Sequence, residues 1–202
     1  MIKSALAGLE TDLDFVELIE DVGLKIDLRY ASSNNFMSRD VYGPFRRAFL
    51  HRIAAIKLSD AYRELRQRHP GYGLVIFDAL RPRSIQRVLW DHVKGSDAQN
   101  YIANPDKGSM HNFGFAVDLT VMNEKGVELD MGAGFDDFRP ISQPRLEAEH
   151  IAAGQLSEVH MKNRMILRGA MEAAGFSQLP SEWWHFEALP RDQVRAEHRI
   201  VE

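Results

Sequence analysis

Ser109-Met110-His111-Asn112-Phe113-Gly114-Phe115-Ala116-Val117-Asp118-Leu119-Thr120-Val121 is the stretch on which the fold turns. Its second half alternates, with Val117, Leu119 and Val121 on one face and Asp118 turned to the other, the period of two that belongs to a strand. A strand is therefore expected over 116–121. The first half places an imidazole, His111, seven residues before the Asp118 carboxylate. On a straight strand that odd spacing puts the two side chains on opposite faces, so their convergence requires a bend or bulge near Gly114, the residue type that permits one.

Upstream, Lys25-Ile26-Asp27-Leu28-Arg29-Tyr30 alternates charged and apolar residues and reads as a half-buried strand. A Ser-, Asn- and Asp-rich loop follows over 31–44. Leu50, Ala54, Leu58, Ala61 and Leu65 then recur at steps of three and four until Pro70-Gly71, which predicts an amphipathic helix. Tyr72 to Phe77 reads as a buried strand ending at Asp78. After the turn Asp78-Ala79-Leu80-Arg81-Pro82, Ser84 is positioned to cap a second helix with Ile85, Val88, Leu89 and His92 on its stripe, closed by Gly95.

Downstream of a polar loop at 95–110 and the central strand, Asn123 to Gly126 is turn chemistry, leading to a hairpin partner at Val127-Glu128-Leu129. Gly132-Ala133-Gly134-Phe135-Asp136-Asp137 and a Pro-punctuated loop precede a helix near 157–174, capped by Ser157 and ended by Gly175. Ser181-Glu182-Trp183-Trp184-His185-Phe186-Glu187 is aromatic enough for a last strand. Helices and strands mix without strict alternation, with no repeat or internal linker. The expectation is an α+β fold, one domain over 1–202, with a mainly antiparallel sheet packed by helices.

Composition sets limits on function. Among 202 residues, 45% are hydrophobic and 27% charged, and the formal charge is −4 with no Lys/Arg run, which disfavours nucleic acid as a partner. Uncharged apolar runs such as Leu74-Val75-Ile76-Phe77 fall far short of the ~20 residues that cross a bilayer. Lys3 is followed by only six small or apolar residues before Glu10, too few for a secretory leader, so the chain reads as cytoplasmic with small molecules as partners. There is no cysteine, so thiolate chemistry and Cys-based metal sites are absent and any metal must use His and carboxylate.

Glu182 and His185 lie three apart and meet on one side only if Glu182 precedes the strand proper. Two His and one Asp suffice for a catalytic Zn²⁺ with a fourth position open, which leaves a glutamate for acid–base work. Trp183, Trp184 and Phe186 read as core.

Together, Asp78-x-x-Arg81-Pro82, Ser109-x-His111-x-x-Gly114-x-Ala116-x-Asp118-Leu119-Thr120, Met131-Gly132-x-Gly134-Phe135-Asp136 and Glu182-Trp183-Trp184-His185 resemble the zinc D-alanyl-D-alanine dipeptidases associated with vancomycin resistance. The order of the blocks matches too, over about 25–188, and His-Glu-x-x-His is absent. The resemblance implies a DD-peptidase/hedgehog-like fold and one Zn²⁺ held by His111, Asp118 and His185. It implies Glu182 as general base and acid, and Arg81, oriented by Asp78, stabilising the oxyanion. It places Asp136 and Tyr30 at the ammonium end of a dipeptide and Ser109 at its carboxylate, with the Asn35-Phe36 loop approaching the substrate.

Met110, Asn112 and Phe113 depart from the family pattern around the zinc histidine, at positions expected to flank the pocket. Two further readings compete with the dipeptidase: a related zinc carboxypeptidase or L,D-endopeptidase acting on peptidoglycan stem peptides, and a non-catalytic zinc module. The presence of both Glu182 and Arg81 argues against the last, since a structural site needs neither.

Overall fold

Val117, Leu119 and Val121 carry the centre of the sheet. In a computed structural model, which describes residues 8–202, they belong to β5 (Ala116–Met122), buried on both faces along its whole length. Lys3 and the four residues after it lie outside the described residues. The five-stranded sheet runs β2 (Leu24–Ile26), β4 (Gly73–Asp78), β5, β7 (His185–Glu187), β6 (Ser177–Gln178). Only the β2–β4 pairing is parallel. Separately, β1 (Phe15–Glu17) pairs antiparallel with β3 (Phe49–His51). This is the expected α+β arrangement with a mainly antiparallel sheet.

Helix α1 (Arg52–Arg68) supplies the crossover between β3 and β4 and buries Ala54, Leu58, Ala61 and Leu65. It packs against α4 (Glu158–Ala173), which buries Leu167, Ala170 and Met171, and the two contact β4 and β5 respectively. Ser157 caps α4 through His160 N, as its sequence predicts, and Gly175 follows at φ +79°. Further helices are α2 (Arg83–Val93), the short α3 (Glu147–Ala152) and α5 (Arg191–Glu197). Among the described residues no helix is long and apolar enough to cross a membrane.

Several local expectations are corrected. The strand expected over 25–30 stops at Ile26, and Arg29–Ala31 forms a 3₁₀ turn that buries Tyr30. Leu50 belongs to β3 rather than to α1. Ser84 does not cap α2: Pro82 holds the N-cap position and Arg83 is already helical. The buried stripe of α2 is Ile85, Gln86, Leu89 and Val93, with Val88 38% exposed. The hairpin partner at 127–129 shrinks to one bridge, Met122 with Glu128. Of the expected strand 181–187, only His185–Glu187 pairs, which leaves Glu182 before the strand as its spacing with His185 requires.

Candidate active site

Register brings the chemistry together. Residues directly opposite across an antiparallel ladder point to the same face. Asp118 is opposite His185 on β7 and Asp78 on β4. Asp78 has the parity of Leu74 and Ile76, which oppose Val121 and Leu119 on the other face. A register shift between Ile76 and Asp78 inserts one extra residue on β4 and turns Asp78 round to the side of Asp118.

His111 reaches the same place by leaving the strand. It lies in a 3₁₀ turn, Met110–Phe113, that ends at Gly114 with φ +75°. A Cβ on Gly114 would stand 2.8 Å from His51 N and 2.9 Å from a Phe15 ring carbon, so both conformation and space demand glycine. The bend expected near Gly114 is this turn.

His111 Nε2, Asp118 Oδ1 and His185 Nδ1 form a buried triangle with edges of 3.2, 3.3 and 2.9 Å. A tetrahedral ion with ligands at about 2.0–2.1 Å needs donor atoms about 3.3 Å apart, so the triangle matches such an ion to a few tenths of an ångström. The far nitrogen of His111, Nδ1, lies 2.6 Å from Ala79 O, an acceptor that directs the Nε2 lone pair inward. The donor set and its spacing fit a small divalent cation.

Glu182 Oε2 lies 4.0 Å from His185 Nδ1. Burial pushes the Glu182 carboxyl up to about 7, against the pull of the neighbouring His185. Burial also opposes ionisation of Asp118, but His111 and His185 overcome it and hold the carboxyl well below its usual range. The two carboxylates thus divide into an ionised member of the triangle and a group poised to exchange a proton near neutrality.

Arg81 is buried. Its Nε and Nη2 donate to Asp78 Oδ2 at 2.7 and 2.5 Å, and Nη1 donates to Gln86 Oε1 at 2.9 Å. Asp78 is itself held by Tyr42 OH and by Ala79 N. Burial works against the Arg81 charge and Asp78 more than offsets it. The guanidinium is therefore fixed, with Nη2 3.6 Å from Asp118 Oδ2 and Cζ 4.8 Å above the Tyr30 ring. The ion pair with Asp78 and a position beside the triangle coexist.

Tyr30 OH donates to Asp136 Oδ1 at 3.0 Å and Phe36 N donates to Oδ2 at 3.2 Å. Burial drives the Asp136 carboxyl up to about 8, despite those two donors. Asp136 also adopts φ +59°, a left-handed conformation costing a non-glycine residue about 1–2 kcal/mol. Ser109 caps the His111 turn by accepting from His111 N at 3.4 Å.

One cavity of about 220 Å³ is lined by Tyr30, Arg81, Ser109, His111, Asp118, Asp136, Glu182 and His185, whereas Asp78 and the Asn35-Phe36 loop do not line it. Asp78 stands behind Arg81. The volume is below the roughly 300–1,000 Å³ of sites for drug-sized ligands, which suits a small molecule. Of the three departures from the family pattern, Met110 lines the cavity, whereas Asn112 and Phe113 do not. Asn112 is instead a buried strut, accepting from Ser109 N at 2.7 Å and donating to Arg81 O at 2.7 Å. Asn35 is likewise structural, donating to the carbonyls of Arg29, Ser32 and Arg39.

Sequence reasoning missed Glu187, whose Oε1 lies 3.1 Å from His185 Nε2. The available signal was its spacing of two from His185, which puts both on one face of a strand.

A family model described as D-ala-D-ala dipeptidase matches residues 10–201. A D-alanyl-D-alanine dipeptidase of Escherichia coli K12 is 36% identical over 170 residues, covering 83% of this chain and 80% of that protein. Proteins of the same name from Streptomyces coelicolor and Enterococcus faecalis are 30% and 26% identical over 194 and 187 residues. They cover 87% and 83% of this chain, and 90% and 87% of their own lengths.

Proposed function

The chain belongs to the D-Ala-D-Ala dipeptidase family of peptidases, and from that premise we propose that it hydrolyses free D-Ala-D-Ala to D-alanine at a zinc centre formed by His111, Asp118 and His185. The observation that carries the reading is that the His111–Asp118–His185 triangle, Glu182, Arg81 and Asp136 all border one small cavity.

Bound there, zinc supplies Lewis acidity and lowers the pKa of a coordinated water to about 7. Glu182 accepts a proton at its carboxylate and returns it to the departing amine, a cycle suited to a group held near 7. Arg81, which Asp78 and Gln86 prevent from swinging away, presents a permanent positive charge to the developing oxyanion. Tyr30 orients Asp136 toward the substrate ammonium, and Ser109 stands for the carboxylate end. A free dipeptide offers a charge at each end, so groups placed for both measure its length.

The test is release of D-alanine from D-Ala-D-Ala and from a stem pentapeptide, with metal content measured on the same preparation. Turnover of the dipeptide with about one zinc per chain is expected; faster cleavage of the pentapeptide would replace this reading with the wall-peptidase alternative. His111→Ala and His185→Ala are each expected to fall below stoichiometric zinc and to unfold at a modestly lower temperature. Normal zinc content in either variant removes that residue from the ligand set.

Asp136 gives a separate prediction, on stability. Its carboxyl is held at about 8, against an ordinary 3.8. A carboxyl raised by folding favours the folded state only while neutral, so that contribution is complete in acid and is lost as pH rises from about 3.8 toward 8. Asp136→Asn, which cannot ionise, is expected to stabilise the protein at pH 8 by roughly 0.5–2 kcal/mol and by less at pH 4. Thermal unfolding at the two pH values checks this; equal shifts at both, or destabilisation at pH 8, contradict it.

A further inference from the structure

His185 turns Nδ1 toward Asp118 and His111, so the function of its other nitrogen depends on what Nε2 meets. It meets Glu187 Oε1 at 3.1 Å. Glu187 is in turn gripped by Arg191, whose Nε lies 3.0 and 2.9 Å from Oε1 and Oε2 and whose Nη2 lies 2.7 Å from Oε1. Three features of the local sequence create this chain. His185 and Glu187 alternate onto one face of β7, Pro190 ends the intervening turn, and Arg191 opens α5 four residues after Glu187.

The two histidines of the triangle are held differently. His111 leans on a neutral backbone carbonyl, whereas His185 faces a carboxylate. A carboxylate only accepts, so it requires the proton on Nε2 and leaves the Nδ1 lone pair for the metal. It also makes the imidazole more basic than a carbonyl does. We propose that Glu187, fixed by Arg191, is a positioning residue that orients His185 and strengthens its Nδ1 as a metal ligand. Both Glu187 oxygens are engaged by Arg191, so the carboxylate is held away from direct competition for the ion.

This rests on the zinc centre proposed above, and the test separates the two. Zinc is titrated against a competing chelator into wild type, Glu187→Ala and Glu187→Gln, alongside thermal unfolding of each metal-free protein. The expected result is an alanine variant that binds zinc about 10- to 100-fold more weakly, as for loss of other outer partners of metal-bound histidines. The glutamine variant, whose amide oxygen accepts without charge, recovers part of the affinity. A residue that merely supported the fold would lower the metal-free unfolding temperature and leave zinc affinity alone.

Wild-type affinity in the alanine variant, or a glutamine variant no better than alanine, overturns the inference. Should Glu187→Ala not fold, Glu187→Gln decides by itself: affinity several-fold below wild type is expected, and unchanged affinity overturns it. If wild type takes up no zinc, the metal centre fails and this inference with it. If wild type binds zinc and the variants match it, the inference alone fails.

Discussion

Glu182→Gln is expected to lower kcat by roughly 10²–10⁴-fold, the usual range for a general base, while zinc content and unfolding temperature stay near wild type. The amide has nearly the shape of the carboxyl and fills the same space before β7, where the adjoining Trp183 and Trp184 are buried. Fold and metal site are therefore preserved. What disappears is the ability to take a proton. In the native protein burial holds Glu182 at about 7, so near neutral pH the carboxyl divides between a form that accepts and a form that donates. Stability does not suffer, because a buried carboxyl above its ordinary 4.5 costs folding energy once it ionises, and glutamine escapes that cost. Steady-state kinetics at pH 7 with metal analysis check the outcome. A variant with zinc bound and near-normal turnover would take Glu182 out of the mechanism and revive the non-catalytic reading.

How much of this was legible in the sequence differs from one element to the next. The central strand and α4 could be read because their signals are local: Val117, Leu119 and Val121 alternate, and Ser157 and Gly175 bracket a helical period. That His111, Asp118 and His185 belong together was legible as a pattern of residues, while the geometry of their triangle was not. It depends on the β5–β7 register that sets Asp118 opposite His185 and on a left-handed turn at Gly114 that brings in His111, and only the second has a residue type that announces it.

Misreadings arose where polar burial overrides the apolar pattern. In α2 the helix turns Gln86 inward instead of Val88, because Gln86 bridges Arg81 Nη1 and the Ala103 carbonyl. Asn112 looked like a pocket residue by position but is buried by its bonds to Ser109 and Arg81. At 25–30 the alternation stops being a strand once the chain passes Ile26, because Arg29 turns to Glu128 and stacks on Phe77 while Tyr30 turns to Asp136. Glu128, Phe77 and Asp136 lie far along the chain from residues 29 and 30, as Arg81 does from Asn112, beyond the reach of any local period.

Acetylating the amine of D-Ala-D-Ala is expected to reduce kcat/KM by about 30- to several thousand-fold, corresponding to roughly 2–5 kcal/mol for breaking a buried, hydrogen-bonded charge pair. The expectation rests on Asp136. Tyr30 OH and Phe36 N each donate to one of its oxygens, yet without substrate burial still holds the carboxyl at about 8. An incoming ammonium supplies the missing charge, and Asp136 gives up its proton to pair with it. The acetylated dipeptide brings no charge and an extra acyl group into a cavity of only about 220 Å³, so the carboxyl either stays neutral or is buried unpaired. Binding of the free dipeptide below pH 8 should therefore release a proton, and KM should fall as pH rises toward 8. Asp136→Asn should cost the free dipeptide far more than any acylated substrate, since only the former presents an ammonium. Equal kcat/KM for the free and acetylated dipeptides would show that nothing in the cavity reads the amino terminus, and the stem-peptide alternative would then account better for the site.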